Sequence, residues 1–273
     1  RYGMPHAPPL HFLAWRYALS VLCFAVWVVL SGARWPRERG RWQHLAVTGI
    51  LMHAGYLGGV WAAVREGLGA GTVALIVGLQ PVVTAGWVSV RGGAAGQVST
   101  RQWGGLVLGF GGLLLVVAHR LGHGEVTGRN LALALFALLC ITAGTLYQKR
   151  FVRACDVRSA NLVQLVAALA VTLPLAALEE GAMQWHPQLV GAMAWSVLVL
   201  TLGGSSLLYL LIQRGAATEV TSLLYLVPPC TALMAWLLFD ETLPAAVLAG
   251  LALTAIGVAL VVRPARGGAP PAG

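Results

Sequence analysis

Charge is scarce in this chain: only 10% of its 273 residues are Asp, Glu, Lys or Arg, against about a quarter in an ordinary soluble domain. None of the nine acidic residues lies deep in an apolar run, so the carboxylate relay that many membrane pumps carry is not visible. Lysine occurs once, at Lys149, against seventeen arginines, a composition that suggests a GC-rich bacterial genome. The four cysteines, Cys23, Cys140, Cys155 and Cys230, form no CxxC or other metal spacing, so no disulfide framework is implied. HExxH and GxGD are absent, and no histidine follows His186; the "GGSS" at 203–206 therefore lacks a later general base. His119 and His123 have no nearby third ligand for a metal. The reading is of a chain that is no enzyme and needs no cofactor or metal.

What the chain has is apolar length. It is 58% hydrophobic, with a mean hydropathy of +0.77, and segments of about 20 apolar residues satisfy the span of a bilayer. Nine such spans are expected, over 8–30, 43–64, 70–90, 102–119, 130–148, 159–178, 188–212, 219–239 and 243–262. The fold class is thus an all-α polytopic membrane protein. Its net charge of +9 does not point to nucleic acid, because the basic residues sit in short clusters between apolar runs. Alternate loops carry thirteen basic residues, among them Arg34, Arg37, Arg39, Arg41, Lys149, Arg150, Arg153 and Arg158, against four on the other side. The positive-inside rule makes the richer side and the C-terminus cytoplasmic, in a bacterial inner membrane. The chain begins outside, at "RYGMPHAPP", as a loop would after one further helix.

In "VALIVGLQPVVTAGWVSV" (73–90) a glutamine and a proline stand at mid-span, where proline removes a helix hydrogen bond. "EVTSLLYLVPPCTALMAWLLF" (219–239) repeats the feature: Pro81 matches Pro228 and Thr84 matches Thr231 at an offset of 147. "GGLVLGFGGLLLVV" (104–117) aligns with "AGLALTAIGVALVV" (249–262) at an offset of 145, placing Gly105 and Gly112 on Gly250 and Gly257. One unit is used twice. With five helices per unit, the second copy is inverted in the membrane, and matched proline breaks (Pro81, Pro228, Pro229) point to a site near the midplane. The glycine stripes read as packing faces, within the monomer or in a homodimer.

Together these features resemble the EamA branch of the drug/metabolite transporter superfamily. The likeness is strongest in "LYLLIQRGAATEVTSLLYLVPPCTALMAWLLFDETLPAAVLAGLALTAIGVALVV", and "FLAWRYALS" resembles the arginine-bearing start of that family's second helix. The resemblance implies two inverted five-helix repeats around a central cavity and export of amino acids and other small metabolites. Residues 1–120 would be the first repeat without its first helix, 121–263 the second, and 264–273 a disordered cytoplasmic tail. The glutamate expected after the first proline span is replaced in "RGGAAGQVSTRQW".

Polar side chains in spans face the bundle interior or a water-filled cavity. Gln80, Thr84 and Trp87 form one helical stripe, and Thr221, Tyr225 and Pro228 repeat its spacing. Thr201, Ser205, Tyr209 and Gln213 follow at steps of four, while His53 and Tyr56, with Trp61 further along, give another span the same character. The expected substrate-binding set is Gln80, Thr84, Trp87, His53, Tyr56, Tyr209, Gln213, Tyr225 and Thr221. Arg16, the one charge well inside a span, reads as snorkelling to the outer interface or pairing with a helix-end carbonyl, with a substrate carboxylate as the alternative. The interior lacks the cluster of cations that phosphate needs. A neutral or zwitterionic metabolite is therefore the expected substrate, with the lipid bilayer and a second copy of the chain as the other expected partners.

Overall fold

The computed structural model describes residues 5–36, 38–91, 100–122, 126–152, 155–204, 207, 230, 233–234, 236–238 and 244–262. Among these there is no strand. The helices are α1 (Pro9–Ser31), α2 (Arg39–Gly49), α3 (Tyr56–Arg65), α4 (Ala70–Gly78), α5 (Gln80–Arg91), α6 (Thr100–Gly122), α7 (Gly128–Phe151), α8 (Val157–Leu178), α9 (Pro187–Ala194) and α10 (Ala245–Val262). Two stretches of π-helix interrupt this series. One, Ile50–Gly55, joins α2 to α3 in a single span, and the other, Trp195–Gly204, continues α9. Five continuous helical stretches, starting at Pro9, Gly40, Gly128, Val157 and Pro187, are long and apolar enough to cross a bilayer. The expected span over 219–239 lies largely outside the described residues.

Local chemistry sets the helix ends. Pro9 opens α1, where its missing N–H costs nothing, and Gly32 closes it at φ 58°, a left-handed turn that favours glycine. Thr127 and Asn130 cap α7 reciprocally at 2.9 and 3.2 Å, and Asn130 Nδ2 donates to the Glu66 carbonyl at 3.2 Å. That bond ties α7 to the end of α3. Asp156 caps α8 by accepting from the Arg158 N–H at 3.0 Å.

Helices that correspond in the two repeats run antiparallel and touch. A Cβ built on Gly112 would lie 2.6 Å from the Gly250 carbonyl, and one built on Gly257 would lie 2.5 Å from the Gly105 carbonyl. The repeat pairs Gly105 with Gly250 and Gly112 with Gly257, yet contact joins them crosswise. Crosswise contact between equivalent residues is what a two-fold axis perpendicular to both helices produces. The stripes expected to pack within the monomer or a dimer thus meet each other inside one chain. The second pair, α1 and α8, behaves alike. At one end Ser159 Oγ donates to the Arg34 carbonyl at 2.8 Å; at the other, the Glu179 carboxylate accepts from the Leu10 and His11 N–H groups at 2.8 and 3.2 Å. Glu179 so caps a helix whose own N-cap, Pro8, has no side chain to offer.

Packing follows the same plan. Leu75 and Ile76 of α4, Val116 of α6, Leu138 of α7 and Val258 of α10 form one core, and Tyr17, Phe24, Leu162 and Leu165 form another between α1 and α8. Large apolar side chains such as Leu30, Phe110, Leu173 and Leu178 lie exposed on the outside. In a membrane that surface meets lipid.

Candidate functional site

Four chain segments bring polar groups together at mid-span. Tyr17, on α1, is 1% exposed, and its hydroxyl donates to the backbone carbonyl of His53 at 2.8 Å. A buried phenol needs such an acceptor, and the π-helical register of Ile50–Gly55 provides it. There the Tyr56 N–H reaches five residues back, to the Leu51 carbonyl, rather than the usual four. The His53 ring meets Tyr17 edge to face at 6.2 Å and lies near the Gln164 side chain of α8. His53 lies midway along its span from Gly40 to Arg65.

Arg16 completes the cluster. Its Nη2 donates to Thr201 Oγ1 at 3.2 Å, and that hydroxyl donates to the Ser196 carbonyl, five residues back, at 2.8 Å. Thr201 is fourteen residues beyond Pro187, so the guanidinium reaches a depth of about 20 Å along that span at 1.5 Å per residue. Arg16 therefore does not snorkel to the nearer surface, and no helix-end carbonyl among the described residues accepts from it. It extends inward, within electrostatic reach of Tyr17, Tyr56 and His53. Its Nε is buried with no acceptor, as is the Ser20 hydroxyl, one turn along the same face of α1. Every described carboxylate, at Glu38, Glu66, Asp156, Glu179 and Glu180, sits at a helix end or in a loop.

The two stretches of π-helix occupy matching places in the repeat. An offset of 147 carries Ile50–Gly55 onto residues 197–202, inside Trp195–Gly204. Single π turns often mark functional positions in helices. Here each stretch gives the cluster a residue that touches α1: the His53 carbonyl accepts from Tyr17, and the Thr201 hydroxyl accepts from Arg16.

Gln80 stands where the third span breaks. Helix α4 ends at Gly78, Leu79 turns back with an N–H to the Ile76 carbonyl at 3.1 Å, and α5 begins at Gln80. Pro81 follows as the second residue of the new helix, where its lack of an N–H is tolerated. Gln80 Nε2 donates to Thr145 Oγ1 on α7 at 2.9 Å. Thr145 and Thr142 each donate to their own helix, to the Ile141 and Leu138 carbonyls, both at 2.7 Å. Next to Thr145, Gly144 packs so closely on the first π-helix that an added Cβ would lie 2.6 Å from Met52 Cγ. Gln80 thus reaches the flank of the π-helix that carries His53. Thr84 is half-buried, while Trp87, 50% exposed near the end of α5, turns away from the buried interior. Trp61 stacks on Phe12, with ring centroids 4.2 Å apart.

Tyr209, Gln213, Thr221, Tyr225, Pro228 and Pro229 lie outside the described residues. Sequence reasoning passed over Tyr17, although a phenol inside a span, adjacent to the one deep charge, is itself a signal. It also treated the arginine-rich loops as topology alone. A cavity of 590 Å³ opens there, lined by Gly32, Arg34, Trp35, Arg41, Asp156 and Arg158 among others. The Arg158 guanidinium, bonded to Asp156 at 2.7 Å, holds that carboxyl below its ordinary range, and burial pushes the neighbouring Cys155 thiol up.

The EamA-like transporter family matches the chain over residues 1–118 and 129–263. A solved structure described as "Crystal structure of protein" superposes with a TM-score of 0.62 at 14% identity, covering 95% of this chain and 90% of its own. That likeness concerns the fold. No curated protein matches the chain. A mid-span polar cluster, a two-repeat helical fold and a family match over both halves lead to one assignment: the chain belongs to the EamA-like transporter family, whose members carry small molecules across membranes.

Proposed function

We propose that the protein exports or exchanges amino acids or related small neutral and zwitterionic metabolites across the bacterial cytoplasmic membrane, by alternating access. Residues 1–120 and 121–263 act as the two rocking units, with the C-terminal tail in the cytoplasm. The observation that carries this reading is the meeting of the two matched π-helices with α1 at Arg16 and Tyr17. A binding group shared between two inverted units is exposed to one side or the other as the units tilt, which is the alternating-access design. His53, Tyr56, Gln80 and Thr84 contribute from the first unit. From the second, Tyr209, Gln213, Thr221 and Tyr225 are the proposed partners, with Pro228 and Pro229 breaking their helix as Pro81 does in the first. Trp87 has the weakest claim, since its ring lies half exposed.

The test is counterflow in proteoliposomes of the full-length protein, with a labelled amino-acid panel, empty liposomes as control, and a pH gradient present or absent. Saturable counterflow of one chemical class is expected. Linear, non-saturating flux would instead indicate a passive channel. Gln80→Leu removes the donor to Thr145 and should slow transport about fivefold, the equivalent of one hydrogen bond of about 1 kcal/mol, without loss of membrane insertion. Unchanged kinetics would remove Gln80 from the site.

A further inference from the structure

We propose that Arg16 is the anchor for a carboxylate on the transported molecule, so that the protein selects carboxylate-bearing metabolites over their amides and amines. The inference rests on the transport reading above and names the chemical class that the site accepts. A guanidinium has five N–H donors in a rigid fork, and among the described residues one of them finds a partner, Thr201. The Nε hydrogen faces no acceptor although the atom is buried. Arginine keeps its charge, and a charge held at the bilayer centre without a counter-ion is costly, which is why intramembrane ionisable residues as a rule pair or mark a substrate path. Among the described residues no carboxylate pairs with it: all of them lie at helix ends or in loops.

The size of the charge narrows the class. Phosphate groups, which carry more than one negative charge, are held by clusters of cations or by backbone nests. Arg16 is the lone cation of this group; His53, Tyr17, Tyr56, Gln164 and Thr201 complete it as uncharged or neutralisable polar residues. One guanidinium matches one carboxylate, and the two parallel N–H groups of its fork fit the two carboxylate oxygens. Thr201 holds the guanidinium from the side of the second repeat. Ser20, one turn along α1 and 0% exposed, leaves a further hydroxyl without a partner. The Tyr56 hydroxyl, also within reach of the charge, offers a neutral group to the rest of the ligand.

The experiment compares leucine, leucinamide and 3-methylbutylamine, and likewise phenylalanine, phenylalaninamide and phenethylamine, as competitors of labelled amino-acid counterflow. It is run on the wild-type protein, Arg16→Gln and Arg16→Lys. For wild type, the amide and the amine should compete about 10- to 100-fold more weakly than the acid, the range for one charge-assisted hydrogen bond. Arg16→Gln should lose most of that discrimination together with most of the flux, whereas Arg16→Lys, which keeps the charge but not the fork, should retain part of both. Equal competition by acid, amide and amine on wild-type protein would overturn the proposal and leave the transport function standing. That comparison needs no folded variant. Arg16→Gln that transports with unchanged discrimination would also overturn it. No counterflow of any compound, from protein of intact helix content, would remove the transport reading and the proposal together.

Discussion

Gly111→Ala and Gly112→Ala should have opposite effects on stability although the residues are neighbours on α6. A Cβ at Gly111 meets nothing within 4 Å, whereas one at Gly112 would lie 2.5 Å from Thr254 Oγ1, 2.6 Å from the Gly250 carbonyl and 2.8 Å from the Thr254 nitrogen. Two of those three neighbours are backbone of α10, so relief requires the helices to part. Replacing glycine by alanine within a helix returns about 1 kcal/mol of propensity at either position, and this gain cancels in the comparison. What remains is the clash, for which overpacking values of about 1–3 kcal/mol apply. Separating the helices also weakens the buried bond from Thr254 Oγ1 to the Gly109 carbonyl, 3.4 Å long. At about 2–4 °C per kcal/mol for a chain of this size class, Gly112→Ala should melt some 2–12 °C below Gly111→Ala. Thermal unfolding of both purified variants in one detergent measures the difference. The same sign is expected for Gly257→Ala, since Gly257 is the repeat equivalent of Gly112. Coincident curves for Gly111→Ala and Gly112→Ala would refute the close crosswise contact of α6 and α10.

Tyr17→Phe removes the donor to the His53 carbonyl and leaves that oxygen buried. A loss of about 1–3 kcal/mol is expected, read as a lowered melting temperature at unchanged helix content, and an unchanged melting temperature would count against the bond. Asp156 gives a pH dependence. Its folded-state carboxyl titrates below the ordinary 3.8, chiefly because the Arg158 side chain hydrogen-bonds it. The unfolded state therefore binds the proton first as pH falls. The contribution of Asp156 is complete above pH 3.8 and is lost as pH drops through the lower folded value. Asp156→Asn keeps a cap residue but not the charge, so its melting temperature should fall less steeply below pH 3.8 than that of the wild type. Parallel acid limbs would show that Asp156 does not contribute in this way.

Most of the fold was legible because bilayer thickness and apolar length constrain each other. The expected span over 130–148 contains the body of Gly128–Phe151, and that over 159–178 nearly coincides with Val157–Leu178. The repeat was legible for a related reason: Gly112, Gly250 and Gly257 fix how closely two backbones approach, and at these three positions an added Cβ would clash. The break before Pro81 followed from the missing N–H. The direction of the Arg16 side chain was not legible, since Thr201 lies 185 residues away in sequence and no local pattern links them. Nor were the π-helices. Hydropathy does not register a change of acceptor from four residues back to five, yet each added residue turns everything after it by about 100° relative to a regular helix. The stripe through Thr201, Ser205, Tyr209 and Gln213 takes regular helical spacing from Thr201, which lies within π-helix; its other three residues lie outside the described residues.

The residues that repeat and those that do not divide by physical role. Prolines recur at an offset of 147 and glycines at 145 because they shape the backbone, and the described parts of both repeats share that shape: a close helix pair and a π-helix at mid-membrane. Thr84 recurs as Thr231, but most of the polar groups do not recur. At the offset of 147, Arg16 falls on Val163, His53 on Leu200 and Gln80 on Val227. A two-fold frame whose two halves carry different polar groups suits an asymmetric ligand, one end of which carries charge while the other does not. Had both repeats kept the arginine, two like charges would face each other across the axis, and each would raise the cost of burying the other. The asymmetry thus leaves a single fixed charge in the described cluster, held between α1 of the first repeat and Thr201 of the second. Under the proposed transport of zwitterions, it makes the two orientations of a bound molecule unequal in energy, so the same end meets Arg16 from whichever side the molecule enters.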